Sequence, residues 1–157
     1  FYRRYGRELE LMSEHAVLNA NYLRHRILNP ESDVREKIPA MPVDGATVDF
    51  VKHEFTLSMS PLKEAVGVSG KDVAKRLLDY GYMSPTLYFP MIVPECLMIE
   101  PTETESIEVM DKFAEDFLAI LSEDPSVVTT APHTTDVRRV DEVQAARNLV
   151  LRHPCEK

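Results

Sequence analysis

The chain has 157 residues, 44% of them hydrophobic, enough for one compact domain with its own core. Its formal charge of −8 disfavours a nucleic-acid backbone or an anionic membrane surface as the main partner, since both select clustered Lys and Arg. No apolar run approaches the length of a membrane span, the opening FYRRYGRELE lacks the apolar centre of a signal peptide, and the two cysteines, Cys96 and Cys155, give neither a disulfide framework nor a metal spacing; a soluble protein of the reducing cytoplasm is expected.

From Gly6 to Leu28 the apolar residues Leu9, Met12, Ala16, Leu23 and Ile27 recur at helical steps, with Asn19 the polar exception on the stripe. This predicts a long leading helix over residues 1–28, ended by Asn29-Pro30. A loop over 29–50 follows, kept irregular by Pro39, Pro42 and Gly45. An α+β body spans 51–157, so the whole chain is one small domain. The chain opens at Phe1, without a Met and close to an amphipathic helix, as a piece of a longer protein would. His53 to Met59 alternates, with Phe55, Leu57 and Met59 on one face and Glu54, Thr56 and Ser58 on the other, which predicts a half-buried strand.

A second helix is expected from Ser69, capped with Asp72, to Gly81. Prolines 85, 90 and 94 set off two short strands, Thr86 to Phe89 and Cys96 to Glu100, spaced for a hairpin. Thr102 and Glu105 are spaced for a capping box ahead of a helix carrying Ile107, Met110, Phe113, Phe117, Ile120 and Leu121. The pattern weakens after Asp124-Pro125, and a short helix over Asp141 to Arg147 closes the chain. Helices packed on a small, mainly antiparallel sheet, without a βαβ repeat, make the fold class α+β.

The segment CLMIEPTETES (Cys96 to Ser106) carries an apolar strand into a run of acids and hydroxyls, the edge of a candidate site. Acids and hydroxyls are favoured in any first helical turn, so Thr102 and Glu105 are expected as caps and Glu100 as the functional candidate. Histidines 15, 25, 53, 133 and 153 have no metal-ligand spacing, and no serine or cysteine stands in a nucleophile motif. Gly67, Gly70 and Gly81 form no phosphate loop and read as helix punctuation. Five arginines, Arg3, Arg4, Arg7, Arg24 and Arg26, lie along the first helix, where they would be solvated or pair with acids of another domain.

SEHAVLNANYLRHRI (Ser13 to Ile27), KHEFTLS (Lys52 to Ser58), DVAKRLLDYGYMSPTLYFP (Asp72 to Pro90), CLMIEPTETES, APH (Ala131 to His133) and DEVQAARNLVLR (Asp141 to Arg152) together resemble one family over most of the chain. That family is the P-protein of the glycine cleavage system, the pyridoxal-phosphate-dependent glycine decarboxylase. In particular the chain resembles the C-terminal part of the second subunit of the two-subunit bacterial form.

The resemblance implies the small C-terminal domain of a fold-type I, aspartate aminotransferase-like enzyme. The intact protein would decarboxylate glycine on pyridoxal phosphate and pass the aminomethyl group to the lipoyl arm of the H-protein, an oxidoreductase-class reaction. Its partners would be the large cofactor domain of its own chain, P-protein subunit 1 and the lipoylated H-protein. The resemblance places the Schiff-base lysine outside this chain, so no catalytic, cofactor-binding or metal-binding residue is assigned, no cofactor is expected on this piece alone, and the piece alone is expected to be inactive. Glu54, Thr86, Glu100 and Thr102 become the expected edge of the substrate cleft.

The family pattern carries His and Pro where this chain has Met83 and Ser84, which argues against a polar role for position 83. Without the resemblance, the same pattern would suit a non-enzymatic α+β module that binds a protein partner through its first helix.

Overall fold

The computed structural model describes residues 2–46 and 48–152; Phe1, Thr47 and residues 153–157, with His153 and Cys155, lie outside the described residues. In chain order the elements are α1 (Tyr2–Tyr5), a turn of 3-10 helix (Gly6–Glu8), α2 (Leu9–Leu28), α3 (Ser32–Arg35), β1 (Val43–Asp44), β2 (Phe55–Ser58), α4 (Ser60–Val66), α5 (Gly70–Asp79), β3 (Thr86–Leu87), β4 (Cys96–Ile99), α6 (Ile107–Ser122), α7 (Pro125–Thr130) and α8 (Glu142–Arg147).

The leading helix is regular only from Leu9, because Gly6 adopts a left-handed φ of 51°, open to a residue without a Cβ, and breaks the helical run there. The stripe on α2 is the expected one. Ala20, Leu23 and Ile27 are buried and Leu9, Met12 and Ala16 half-buried, while Leu11, Val17 and Leu18 stay exposed towards the helix start. α2 packs on α6, where Tyr22 Oη and Arg26 Nε both donate to Asp111, at 2.6 and 2.9 Å. Arg24 pairs with Asp44 and donates to the carbonyls of Asp49 and Val48, so Arg24 and Arg26 serve this domain internally.

The sheet order is β1-β2-β4-β3 and every neighbouring pair is antiparallel. Across β2 and β4, Phe55 faces Ile99 and Leu57 faces Leu97, and all four are buried; Thr56, Met98 and Thr86 share the opposite face. That confirms the alternation read from residues 53–59, with the strand confined to Phe55–Ser58. Ser58, on the polar parity, is nevertheless buried, because its hydroxyl donates to Pro94 O at 2.7 Å.

The β3–β4 hairpin forms as expected, but β3 stops at Leu87 because Tyr88 turns to a φ of 63°. α3 and β1 both fall inside the 29–50 segment expected as a loop. α4 and α7 were not expected, since seven and six residues are too few to display a helical period.

α5 carries the capping box read from Ser69 and Asp72: Ser69 Oγ accepts from Asp72 N at 3.2 Å and the Asp72 carboxylate accepts from Ser69 N at 2.8 Å. Gly81, beyond its C-terminus, takes a φ of 86°, the left-handed ending expected there. Gly70 is required for another reason: a Cβ at that position would sit 2.7 Å from the carbonyl oxygen of Glu95, which β4 holds in place.

The core lies between the buried sheet face and α2, α5 and α6, and centres on Phe55, Leu57, Leu77, Leu97 and Phe117. The C-terminal segment is strapped back onto α5 by polar contacts. Asp79 accepts from the backbone N–H groups of His133 and Thr134, Arg139 pairs with Asp72 at 2.6 Å, and Lys71 pairs with Glu142 at 2.9 Å. α8 starts at Glu142, one residue after the expected Asp141, which caps it by accepting from Gln144 N. No helix among the described residues is long and apolar enough to cross a membrane.

Candidate functional site

At the end of the sheet where β4 runs out and β3 begins, a cleft of about 340 Å³ opens between the strands, α2 and the start of α6. Its floor is apolar: Leu23 from α2, Ile99 from β4, and Met110 and Phe113 from α6. Tyr82 forms one wall, its ring edge-on to Phe113 at 4.9 Å and its hydroxyl donating to Asp116 at 2.7 Å. Burial and that bond to a carboxylate push the Tyr82 hydroxyl well above its ordinary range, so it stays a neutral donor near neutrality.

The rim is polar. Thr86, Glu100 and Thr102, three of the four residues expected at a site edge, line the cleft together with Ser84 and Glu105. The fourth, Glu54, does not line it. It immediately precedes Phe55, whose strand partner Ile99 lines the cleft, at the end of the β2–β4 pairing. The lining also includes Met83 and Ser84, with Met83 91% exposed: a thioether, not a polar group, projects at that point of the rim.

The turn after β4 differs from the sequence expectation. Thr102 does not cap the helix. Its hydroxyl hydrogen-bonds that of Thr104 at 2.7 Å, and the helix starts at Ile107 with Ser106 as its cap, accepting from Val109 N. The cause lies 83 residues away in sequence: the Asn19 side-chain amide donates to Thr102 O at 2.8 Å and Glu105 O at 3.2 Å. Those bonds hold 102–105 as a separate turn closed by Glu105 N on Thr102 O, which displaces the cap to Ser106. The polar exception on the α2 stripe is thus the residue that fixes the acidic rim of the cleft.

Replacing Asn19 with Leu removes the side-chain donor from Glu105 O and leaves Thr102 O with the Glu105 N–H alone, and is expected to cost about 1–3 kcal/mol. The loss should be local, read as faster amide exchange at Glu105 and Ser106, whereas Asn19→Ser should lose less. Equal exchange in all three forms would refute the tie.

An apolar floor under carboxylates and hydroxyls accepts hydrogen bonds from an ammonium or amide donor held above it. The rim residues supply no positive charge: the lining contains neither Lys nor Arg. Lys63, Lys71 and Lys112 are engaged in ion pairs with Glu95, Glu142 and Asp116, and none of them lines the cleft. Of the histidines, His53 is exposed before β2, and His133 Nε2 meets Val127 O at 3.0 Å, away from the cleft. Among the described residues no cluster of His, Cys, Asp and Glu could hold a metal ion. Cys96 is buried, its thiol donating to Phe89 O at 3.0 Å and pushed up by burial, which makes it a packing residue.

Residues 12–141 match the family described as glycine dehydrogenase, C-terminal domain. Similar proteins include the probable glycine dehydrogenase (decarboxylating) subunit 2 of Alkaliphilus oremlandii, 47% identical over 94% of this chain and 28% of the relative. The proteins of the same name from Thiobacillus denitrificans and Aquifex aeolicus are 48% and 45% identical over 93% and 94% of this chain, each with 29% of the relative covered. The chain therefore spans under a third of the length of these relatives. With most of its length matched, including α2, the sheet and the cleft rim, this chain belongs to the glycine dehydrogenase C-terminal domain family.

Proposed function

We propose that this chain is the small C-terminal domain of subunit 2 of a pyridoxal-phosphate-dependent glycine decarboxylase, the P-protein of a glycine cleavage system. The observation that carries the reading is the family match over residues 12–141. In this reading the domain has the small-domain role of a fold-type I enzyme, and the cleft bearing Thr86, Glu100 and Thr102, with Glu54 beside it, forms one wall of the substrate site. The intact protein would carry out the oxidative, aminomethyl-transferring decarboxylation of glycine in the cytoplasm, with a first subunit and lipoylated H-protein as partners. A buried free thiol at Cys96 is in keeping with a reducing compartment.

The residues here do not fit pyridoxal phosphate as its anchor. The cofactor needs an amine for its aldehyde and cations or free backbone N–H groups for its phosphate, and the cleft presents carboxylates and hydroxyls instead. Both anchors belong, in this proposal, to the part of the enzyme outside this chain. The contribution of this chain is a wall: Leu23, Ile99, Met110 and Phe113 exclude water, and Glu100, Thr86 and Thr102 orient a donor above them.

The test is glycine–bicarbonate carboxyl exchange by full-length subunit 2 assembled with its companion subunit, pyridoxal phosphate and lipoylated H-protein. Exchange is expected for the assembly and none for the domain alone. Glu100→Gln and Thr86→Val should each lower kcat/KM roughly tenfold without moving the melting temperature. No exchange by a correctly loaded assembly would remove the assignment. The second reading, a protein-interaction module, is favoured by the exposed row Leu11, Val17 and Leu18 on α2, and predicts association with a partner and no exchange under any assembly.

A further inference from the structure

The β3–β4 connection, residues 88–95, displays four large apolar side chains to solvent: Tyr88 and Phe89 at 54% and 59% exposure, Met91 and Ile92 both at 90%. A loop of this length normally turns polar residues outward, and mobile apolar side chains would collapse onto the nearby core. This one is fixed at both ends. On the β3 side Tyr88 N donates to Cys96 O at 3.3 Å and the Cys96 thiol to Phe89 O at 3.0 Å; within the loop Val93 N closes on Pro90 O at 3.0 Å. On the β4 side Pro94 O accepts from Ser58 Oγ at 2.7 Å and Glu95 O from Met59 N at 3.2 Å. The Glu95 carboxylate accepts from Gly70 N at 3.0 Å and pairs with Lys63.

The loop's two boundary residues, Tyr88 and Glu95, stand at left-handed φ values of 63° and 51°, which side chains other than glycine rarely adopt. The hairpin thus ends in a preorganised apolar knob, the arrangement that gives tight association at low ordering cost.

We propose that this knob is the docking element for the companion subunit of the enzyme, inserting Met91 and Ile92, flanked by Phe89 and Tyr88, into an apolar pocket on that protein. The proposal rests on the glycine decarboxylase reading, in which the relatives' name, subunit 2, supplies a first subunit. Two observations favour that occupant over the rest of the same polypeptide. The knob lies at the tip of the β3–β4 hairpin, and the cleft lies at its base, where Thr86, Met98 and Glu100 line it; the face assigned to the cofactor-bearing part of the chain is at the other end. The exposed side chains are also without interspersed charge from Tyr88 to Pro94, the composition of a permanent subunit interface, whereas contacts between domains of one chain are more polar.

The experiment uses full-length subunit 2 and its companion subunit. Met91→Glu and Ile92→Glu place a charge where the side chain is already in solvent, so each variant alone should keep its melting temperature. Affinity for the companion, measured by sedimentation, should fall roughly tenfold or more for each. Met83→Glu, equally exposed but at the cleft, should leave affinity unchanged.

Unchanged affinity in both knob variants overturns the proposal. So does a fall in the melting temperature of subunit 2 alone with affinity intact, which would place the knob against its own chain, or altered self-association of subunit 2 alone with affinity intact, which would place it against a second copy. Glycine exchange by the unmutated assembly separates the two claims: exchange with normal association of the variants leaves the enzyme reading and removes the knob, whereas lost association without exchange in the parent leaves the knob and removes the enzyme reading.

Discussion

Phe117→Ala is expected to destabilise this domain by about 3–5 kcal/mol, the range for removing a fully buried aromatic side chain when the surroundings collapse only in part. Phe117 has no exposed surface and is among the largest side chains wholly enclosed by the core. It comes from the middle of α6, the helix that meets α2 on one side and α5 on another, so the void would open where three helices and the sheet converge. Phe113, stacked on it at 6.1 Å between ring centres, is only partly buried and also forms the cleft wall with Tyr82. The substitution should therefore loosen the cleft as well as lower stability. For a chain of this size the loss corresponds to a fall in melting temperature of roughly 8–16 °C. Thermal unfolding followed by circular dichroism measures it, with Phe50→Ala, at a side chain 80% exposed, as a control expected within about 0.5 kcal/mol of the parent. A loss below about 1.5 kcal/mol for Phe117→Ala would mean that the core repacks freely, and the account of α6 as its keystone would fail.

α6 was legible because sixteen residues display more than four turns of one period, and Met110, Phe113, Phe117, Ile120 and Leu121 fall on its inner face as read, whereas Ile107, read on the same stripe, is exposed at the first turn. α5 was legible from its ends: Ser69, Asp72 and Gly81 are local signals whose partners lie within a few residues. What failed was set from a distance. The spacing of Thr102 and Glu105 is right for a capping box, and only Asn19, arriving from α2, makes the turn prefer another arrangement. β1 is two residues long and exists because Val43 and Asp44 find Ser58 and Leu57, a pairing no local pattern announces. The tip of the hairpin, with four apolar side chains in succession around Pro90, has the composition of a strand; the left-handed turn at Tyr88 makes it a knob.

The site divides in the same way. Thr86, Glu100 and Thr102 line one cleft; Glu100 stood out in the sequence as the acid not needed for capping, whereas Thr86 and Thr102 were selected by resemblance, since acids and hydroxyls after a strand are ordinary capping material. The floor residues Leu23, Met110 and Phe113 appeared in the sequence only as helix-stripe positions. Whether a stripe residue ends in the core or at the bottom of a cleft depends on where the sheet stops, and the pairing of β2 with β4 stops at Phe55 and Ile99. Glu54 falls outside the lining, one residue before Phe55, where the pairing of β2 with β4 ends.

Asp79 should be the most consequential polar residue of the domain. Its side chain is 2% exposed and closes α5 against the segment after α7. Oδ1 accepts from His133 N at 2.6 Å, Thr134 N at 2.8 Å and Thr134 Oγ1 at 2.9 Å, while Oδ2 accepts from Arg76 Nη1 at 3.0 Å. Burial alone would push this carboxyl up. The N–H groups of Thr134 and His133, then the Arg76 guanidinium and the Thr134 hydroxyl, outweigh it and hold the group at about 2, against an ordinary value of 3.8. A folded-state value below the unfolded one gives stability that is fully present above about pH 4 and is lost as the pH falls from 3.8 through 2, an amount of about 2 kcal/mol. Asp79→Ala removes the acceptor for four donors at once and is expected to cost about 3 kcal/mol at neutral pH. Asp79→Asn can keep its carbonyl on the three donors at Oδ1 but turns an amide towards Arg76, so it should lose less at neutrality and, having no proton to gain, should show a shallower decline in stability between pH 4 and 2. Urea unfolding of the three proteins across that interval measures both effects. Parallel pH profiles for parent and Asp79→Asn would show that the acid sensitivity belongs to other carboxylates and that Asp79 is not the latch of the C-terminal strap.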